Sequence, residues 1–162
     1  MTKLLLFVWL LGLPFSTGHL TMPQEWWIEV QKACRVHHVN PYFAGGVMAI
    51  ESRFKLYKSK KWIPPMNLAK CFEKKFHVNL HNIKNNINYG VRALKPRGKE
   101  RNEVDVLHRY NAKCNKAYIK AVMMVKRQAM KRNQEQVKLF IPKIQRRIYG
   151  RLGEALGKTG FY

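Results

Sequence analysis

Glu51 is the residue with the clearest chemical potential. It is the one carboxylate between Glu29 and Glu73, and it closes the apolar run Pro41-Tyr-Phe-Ala-Gly-Gly-Val-Met-Ala-Ile50, with Ser52, Arg53 and Phe54 following. Desolvation and the carbonyl end of a helix both favour the neutral form of a carboxyl group. A carboxyl held protonated near neutral pH is what general-acid catalysis requires. On position alone a solvated helical glutamate is the plainer reading, because most glutamates are solvated.

The element that must position Glu51 is legible. Asn40-Pro41 is a helix start, with Asn as the cap and Pro in the first turn, where no backbone donor is needed. From there Phe43, Val47, Ile50 and Phe54 form one apolar stripe, and Glu51 falls about 80° from Phe43, at the edge of that stripe. Gly45 and Gly46 weaken a helix by roughly 1 kcal/mol each relative to Ala, so close packing of another backbone is expected there.

The remaining pattern is mainly α. Helices are expected over Pro23 to His37, Asn67 to Lys75, Asn82 to Leu94, Glu103 to Asn111 and Ala117 to Arg132, the last with Tyr118, Val122 and Val125 on one face. Lys55 to Pro65 reads as a loop or short irregular strands. Beyond Asn133, Pro142 and four glycines (Gly150, Gly153, Gly157, Gly160) break up a basic segment. Within it Val137, Leu139, Phe140 and Ile141 can dock, and Ile144 to Leu156 can form an amphipathic basic helix. At the other end, Lys3, the apolar stretch Leu4 to Leu13 and Ser16-Thr17-Gly18 have the form of an export signal. The expected organisation is a signal over 1–18, one domain over 19–132 and a basic C-terminal segment over 133–162.

Composition narrows the partners. The 162 residues carry 31 Lys and Arg against 9 Asp and Glu, a net charge of +22. Such a field attracts polyanions: nucleic acid, an anionic membrane or an acidic cell-wall polymer. No zinc finger, RRM-type aromatic pair or KH loop accompanies the charge, which together with export disfavours nucleic acid. Cys34, Cys71 and Cys114 match no zinc spacing, so neither a metal nor another cofactor is expected. Export makes one disulfide feasible, with three single pairings open.

Three blocks resemble, in order, the soluble lytic transglycosylase catalytic domain of the lysozyme-like superfamily. Val39-Asn-Pro-Tyr-Phe-Ala-Gly-Gly-Val-Met-Ala-Ile-Glu-Ser-Arg-Phe54 is similar to its opening helix ending in Glu-Ser-x-Phe. Asn86-Ile-Asn-Tyr-Gly-Val-Arg-Ala-Leu94 is similar to its Asn-Ile block, and Leu107-His-Arg-Tyr-Asn-Ala112 to its Tyr-Asn-Ala block, followed by Tyr118-Ile119 and Val122. The resemblance covers roughly Glu25 to Lys131. It departs at Pro64-Pro-Met-Asn67, where the family carries Gly-Leu-Met-Gln, and at Ala93 and Lys113.

The resemblance implies a lysozyme-like single domain with a short irregular or β-containing loop region beside the catalytic helix. It implies an exported enzyme acting on peptidoglycan glycan strands. Glu51 would protonate the leaving oxygen and then serve as base toward the substrate's own C6 hydroxyl, giving a 1,6-anhydro end. Tyr110 would orient Glu51 or stabilise the forming oxocarbenium, while Ser52, Met66, Asn67 and Asn111 would form the substrate-binding surroundings. One acid suits a chain with a single Asp, Asp105. A hydrolytic lysozyme, with the second carboxylate most glycosidases use, is the neighbouring alternative. A cationic wall- or nucleic-acid-binding protein with a decayed site is the non-enzymatic one. The basic surface would hold the protein on an anionic wall or membrane.

Overall fold

A computed structural model describes residues 13–111 and 114–158, with side chains described through Leu139. Most of the expected signal, the docking expected of Phe140 and Ile141, and Lys113 lie outside these. The architecture is mainly helical: α1 Gln24–His37, α2 Pro41–Ser52, α3 Cys71–Phe76, α4 Ile83–Ala93, α5 Glu103–Tyr110 and α6 Lys116–Lys158. One small antiparallel sheet joins β1 Trp62–Ile63 to β2 Leu68–Ala69, in the register Trp62 to Ala69 and Ile63 to Leu68. The chain divides into a body, Pro14–Met130, and a second unit that contains Leu13 and the α6 residues from Lys131 onward.

Local chemistry sets the helix ends. The Asn40 side chain accepts from the N–H groups of Tyr42 and Phe43, Asn82 caps Asn85, and Asn102 caps Val104 and Asp105. Two boundaries differ from expectation. The helix expected from Asn67 begins at Cys71, because Asn67 takes a left-handed conformation (φ 55°) and Leu68 and Ala69 pair with β1. At the other end α6 runs unbroken past Asn133, Pro142 and Gly150 to Lys158. The run Asn133-Gln-Glu-Gln-Val-Lys-Leu139 is rich in straight-chain residues that lose little freedom in a helix, and this carries the helix on.

At the centre of the body, α2 is apolar on every side: Tyr42 through Ala49 are all buried. A helix buried all round is a core helix rather than an amphipathic surface one. Glu51 therefore reaches the surface because α2 ends, not because it lies at the edge of a stripe. Gly46 lets a second backbone approach closely, since a Cβ there would stand 2.9 Å from the Val122 carbonyl of α6. Gly45 makes room for a ring instead, because a Cβ would meet Phe15.

Phe15 is fully buried, and its ring lies 5.4 Å from Trp27, 6.2 Å from Tyr42 and 5.7 Å from Phe54. The segment carrying it is tied down by a bridge between Ser16 and Thr21, and by the Met22 N–H donating to the Phe15 carbonyl. Trp26 and Trp27 are both buried, so neither is a surface platform. Arg53 and Phe54 both have positive φ (53° and 57°), and burial of Phe54 against Phe15 offsets the roughly 1–3 kcal/mol that each such residue costs.

Cleavage after Gly18 would remove Phe15 from this cluster. Phe15→Ala in the full-length chain is expected to lower stability by about 3–5 kcal/mol in urea unfolding. A mature protein that begins at His19 would be indifferent to the substitution.

Candidate active site

The Glu51 carboxylate emerges in the last turn of α2 on the wall of a groove of about 1200 Å³ in the body. Both of its oxygens are held by neutral donors. Asn67 Nδ2 donates to Oε2 at 2.9 Å, and the Tyr118 hydroxyl donates to Oε1 at 2.6 Å. Asn67 is itself oriented, since the Tyr57 hydroxyl donates to its Oδ1 at 2.5 Å. The left-handed conformation at Asn67 suits asparagine better than most side chains. It also turns a short amide toward α2.

A second tier holds the loop that delivers Asn67. The Tyr110 hydroxyl donates to the Met66 carbonyl at 2.5 Å. Asn86, fully buried on α4, accepts from the Met66 N–H at 2.9 Å and donates to the carbonyls of Ile63 and Leu80 at 3.0 and 3.2 Å. Met66 drops its side chain onto Gly90, where a Cβ would overlap it. The loop is thus fastened by main chain and side chain together.

The expected site residues separate under this geometry. Glu51, Asn67, Tyr110 and Asn111 all line the groove. Tyr110 does not bond Glu51, because its hydroxyl is taken by the Met66 carbonyl; the phenol on Glu51 is that of Tyr118. Ser52 is buried with its hydroxyl donating to the Met48 carbonyl, so it faces the body rather than a ligand. Met66 is a core residue with no exposure. Asn111 terminates α5, and its carbonyl accepts from the Cys114 N–H at 2.7 Å.

Tyr118 was legible as part of the block after Tyr-Asn-Ala, but its helical spacing with Val122 and Val125 assigns it to the core. Tyr57 lies in a stretch without periodicity and carried no signal. Asn86 was visible as the first residue of its block, without a role.

The electrostatics converge on Glu51. Burial first, and then the negative charge of Glu51, push the phenols of Tyr110, Tyr118 and Tyr57 above the ordinary tyrosine range. For Tyr118 the hydrogen bond to Glu51 adds to the rise. All three therefore remain protonated at neutral pH. A phenol can donate to a carboxylate or accept from a carboxylic acid, so Tyr118 can stay engaged with Glu51 in either state.

The rest of the groove is aromatic and basic. Phe72, Phe76 and Tyr89 form a strip with ring centroids 5.7 and 5.6 Å apart, and Trp62 is half exposed. Lys75, Arg92, Lys95, Arg97 and Arg109 also line it, and Glu51 is the one acid among the described lining residues. Cys34, Cys71 and Cys114 are unpaired, and burial raises the Cys34 thiol. Among the described residues no cluster of three His, Cys, Asp or Glu could hold a metal ion, and no helix is long and apolar enough to cross a membrane. No protein-family model, curated protein or solved structure matches this chain.

Two outcomes follow for stability. Above about pH 10 the unfolded chain releases the Tyr118 proton while the folded chain keeps it, so this residue makes stability fall as pH rises. Tyr118→Phe is expected to shallow the alkaline loss by up to about 1.4 kcal/mol per pH unit, read from urea midpoints between pH 9 and 11.5. Asn86→Leu strands the Met66 N–H and removes a bond from each of two carbonyls, and should cost about 2–3 kcal/mol in the same assay at neutral pH.

Proposed function

We propose that this protein is a peptidoglycan lytic transglycosylase, exported to the cell wall, in which Glu51 is the single acid and base. The observation that carries the reading is the isolation of Glu51: one carboxylate on the wall of a large groove, with both oxygens bonded to neutral groups and no second acid among the described lining residues. Most glycosidases that admit water use two carboxylates flanking the scissile bond. A reaction in which the substrate's own C6 hydroxyl attacks needs only one.

In this mechanism the Glu51 acid gives its proton to the leaving glycosidic oxygen, and the bond to the anomeric carbon breaks. The resulting carboxylate faces the oxocarbenium ion and then takes the proton of the C6 hydroxyl as that oxygen closes on the anomeric carbon. The product is a 1,6-anhydro end, and Glu51 is protonated again. Asn67 and Tyr118 keep the carboxyl plane fixed throughout by donating to its two oxygens, while the acidic proton faces the glycosidic oxygen. Tyr110 contributes indirectly, by holding the Met66 carbonyl and so the Asn67 backbone. Binding on one wall of a groove lined with exposed aromatic rings suits a sugar chain, whose apolar ring faces stack on aromatic side chains.

Mass spectrometry of products from purified peptidoglycan tests the reading. Anhydro-muramic ends are expected from the unaltered protein. With Glu51→Gln cleavage should fall by at least about a hundredfold, the usual scale for a positioned acid–base group, while the fold persists. Reducing ends would identify a hydrolase, and unchanged cleavage by the Gln variant would remove Glu51 from the mechanism.

A further inference from the structure

The groove that holds Glu51 carries more basic groups than acid–base cleavage by Glu51 itself requires. Arg109 is consumed by the fold: its guanidinium bonds Glu100 and the carbonyls of Ala93 and Lys95. Arg97 is tied to the same acid through its main chain, whose N–H donates to the Glu100 carboxylate at 2.8 Å, and its charge acts on that carboxylate. Lys75, Arg92 and Lys95 are different. All three are exposed and line the groove, and none has an ion-pair partner among the described residues. Lys75 lies 5.6 Å from the centre of the Phe76 ring, beside the aromatic strip.

Like charges converging on one concave surface repel one another, and a cleft lined by one sign of charge focuses the field for a ligand of the opposite sign. Three unpaired cations are therefore an anion-recognition feature, built from the end of α3, the last turn of α4 and the turn after it. We infer that Lys75, Arg92 and Lys95 bind the carboxylates of peptides carried on the glycan strand, so that the protein selects strands with free acidic peptides over strands whose peptides are amidated. This rests on the reading of the groove as a glycan site. A carboxylate-bearing strand supplies both the ring faces for the aromatic strip and the charge for the cations, in one ligand.

The test uses the full-length Glu51→Gln protein, which keeps the groove and leaves the ligand intact. Its affinity is measured for three glycan fragments of equal length: peptide-free with the muramic lactyl carboxyls amidated, bearing peptides with free carboxylates, and bearing the same peptides amidated. Free carboxylates should improve affinity by about fivefold to tenfold at low salt, as expected for a few exposed ion pairs. The advantage should collapse toward one in the Lys75→Gln/Arg92→Gln/Lys95→Gln variant, and in the unaltered groove at high salt. Equal affinity for free and amidated peptides would overturn the inference. So would displacement of every fragment by inorganic polyphosphate with no effect of amidation, which would assign the cations to a phosphate polymer. A preserved carboxylate preference in a protein that cleaves no glycan would leave the inference standing and overturn the enzymatic reading alone. Absence of binding to all three fragments would overturn both.

Discussion

The side-chain amide of Asn86 is the constraint on which the site depends. It is fully buried, and it bonds three main-chain groups from three places in the chain: the Met66 N–H and the carbonyls of Ile63 and Leu80. An unsatisfied buried group costs about 1–3 kcal/mol, so no neighbouring conformation of the loop competes easily. Gly90 is one helical turn further along the same face of α4, and it leaves the space that the Met66 side chain fills. Pin and slot are thus four residues apart on one helix. Together they fix Met66, the Met66 carbonyl receives Tyr110, and the next residue, Asn67, is delivered to Glu51.

A second constraint acts from the opposite side. Gly46 lets the main chain of α6 approach α2 at Val122, and Tyr118 lies one turn earlier on α6. The contact that a larger residue at 46 would forbid is what brings the phenol within 2.6 Å of Glu51. Glu51 is thus held between two independently fastened elements, the α4-pinned loop and α6. Its own helix is anchored by an apolar surround that includes Phe15 and Phe54.

Much of this was legible in the sequence where the signal is local. The caps at Asn40 and Asn82 mark helix starts because a short polar side chain before an apolar run has one favoured use. The glycine pair promised a close backbone approach, and Gly46 makes one; Gly45 accommodates the Phe15 ring instead. What was not legible depends on pairs distant in the chain. Tyr110 and Tyr118 are both aromatic residues on helices with apolar neighbours, and nothing in their spacing says which hydroxyl reaches a carboxylate 67 positions away. Ser52 next to Glu51 reads as a ligand contact, yet adjacent helical residues point about 100° apart, and one of them faces the body. The length of α6 was missed for a different reason. Pro142 and the glycines each signal a break when taken singly, whereas propensity summed along the helix decides its end.

The use of acids ties the charge of the chain to the site. With 31 basic residues, almost any carboxylate will find a cation nearby. Glu29, Glu100, Glu103 and Glu135 do so, bonding Lys32, Arg109, Lys126 and Lys131. Glu73 and Asp105 accept main-chain N–H groups of Leu80 and Arg101, and Glu25 sits in the first turn of α1, where the helix dipole favours negative charge. Glu51 alone among the described acids is held by an amide and a phenol. An ion pair would have to be broken each time the carboxyl gained a proton. Neutral partners impose no such cost, because the amide and the phenol can each donate to a carboxyl oxygen in both states. The arrangement around Glu51 therefore permits a proton to leave and return with little rearrangement, in a protein whose overall charge works against finding any carboxylate so placed.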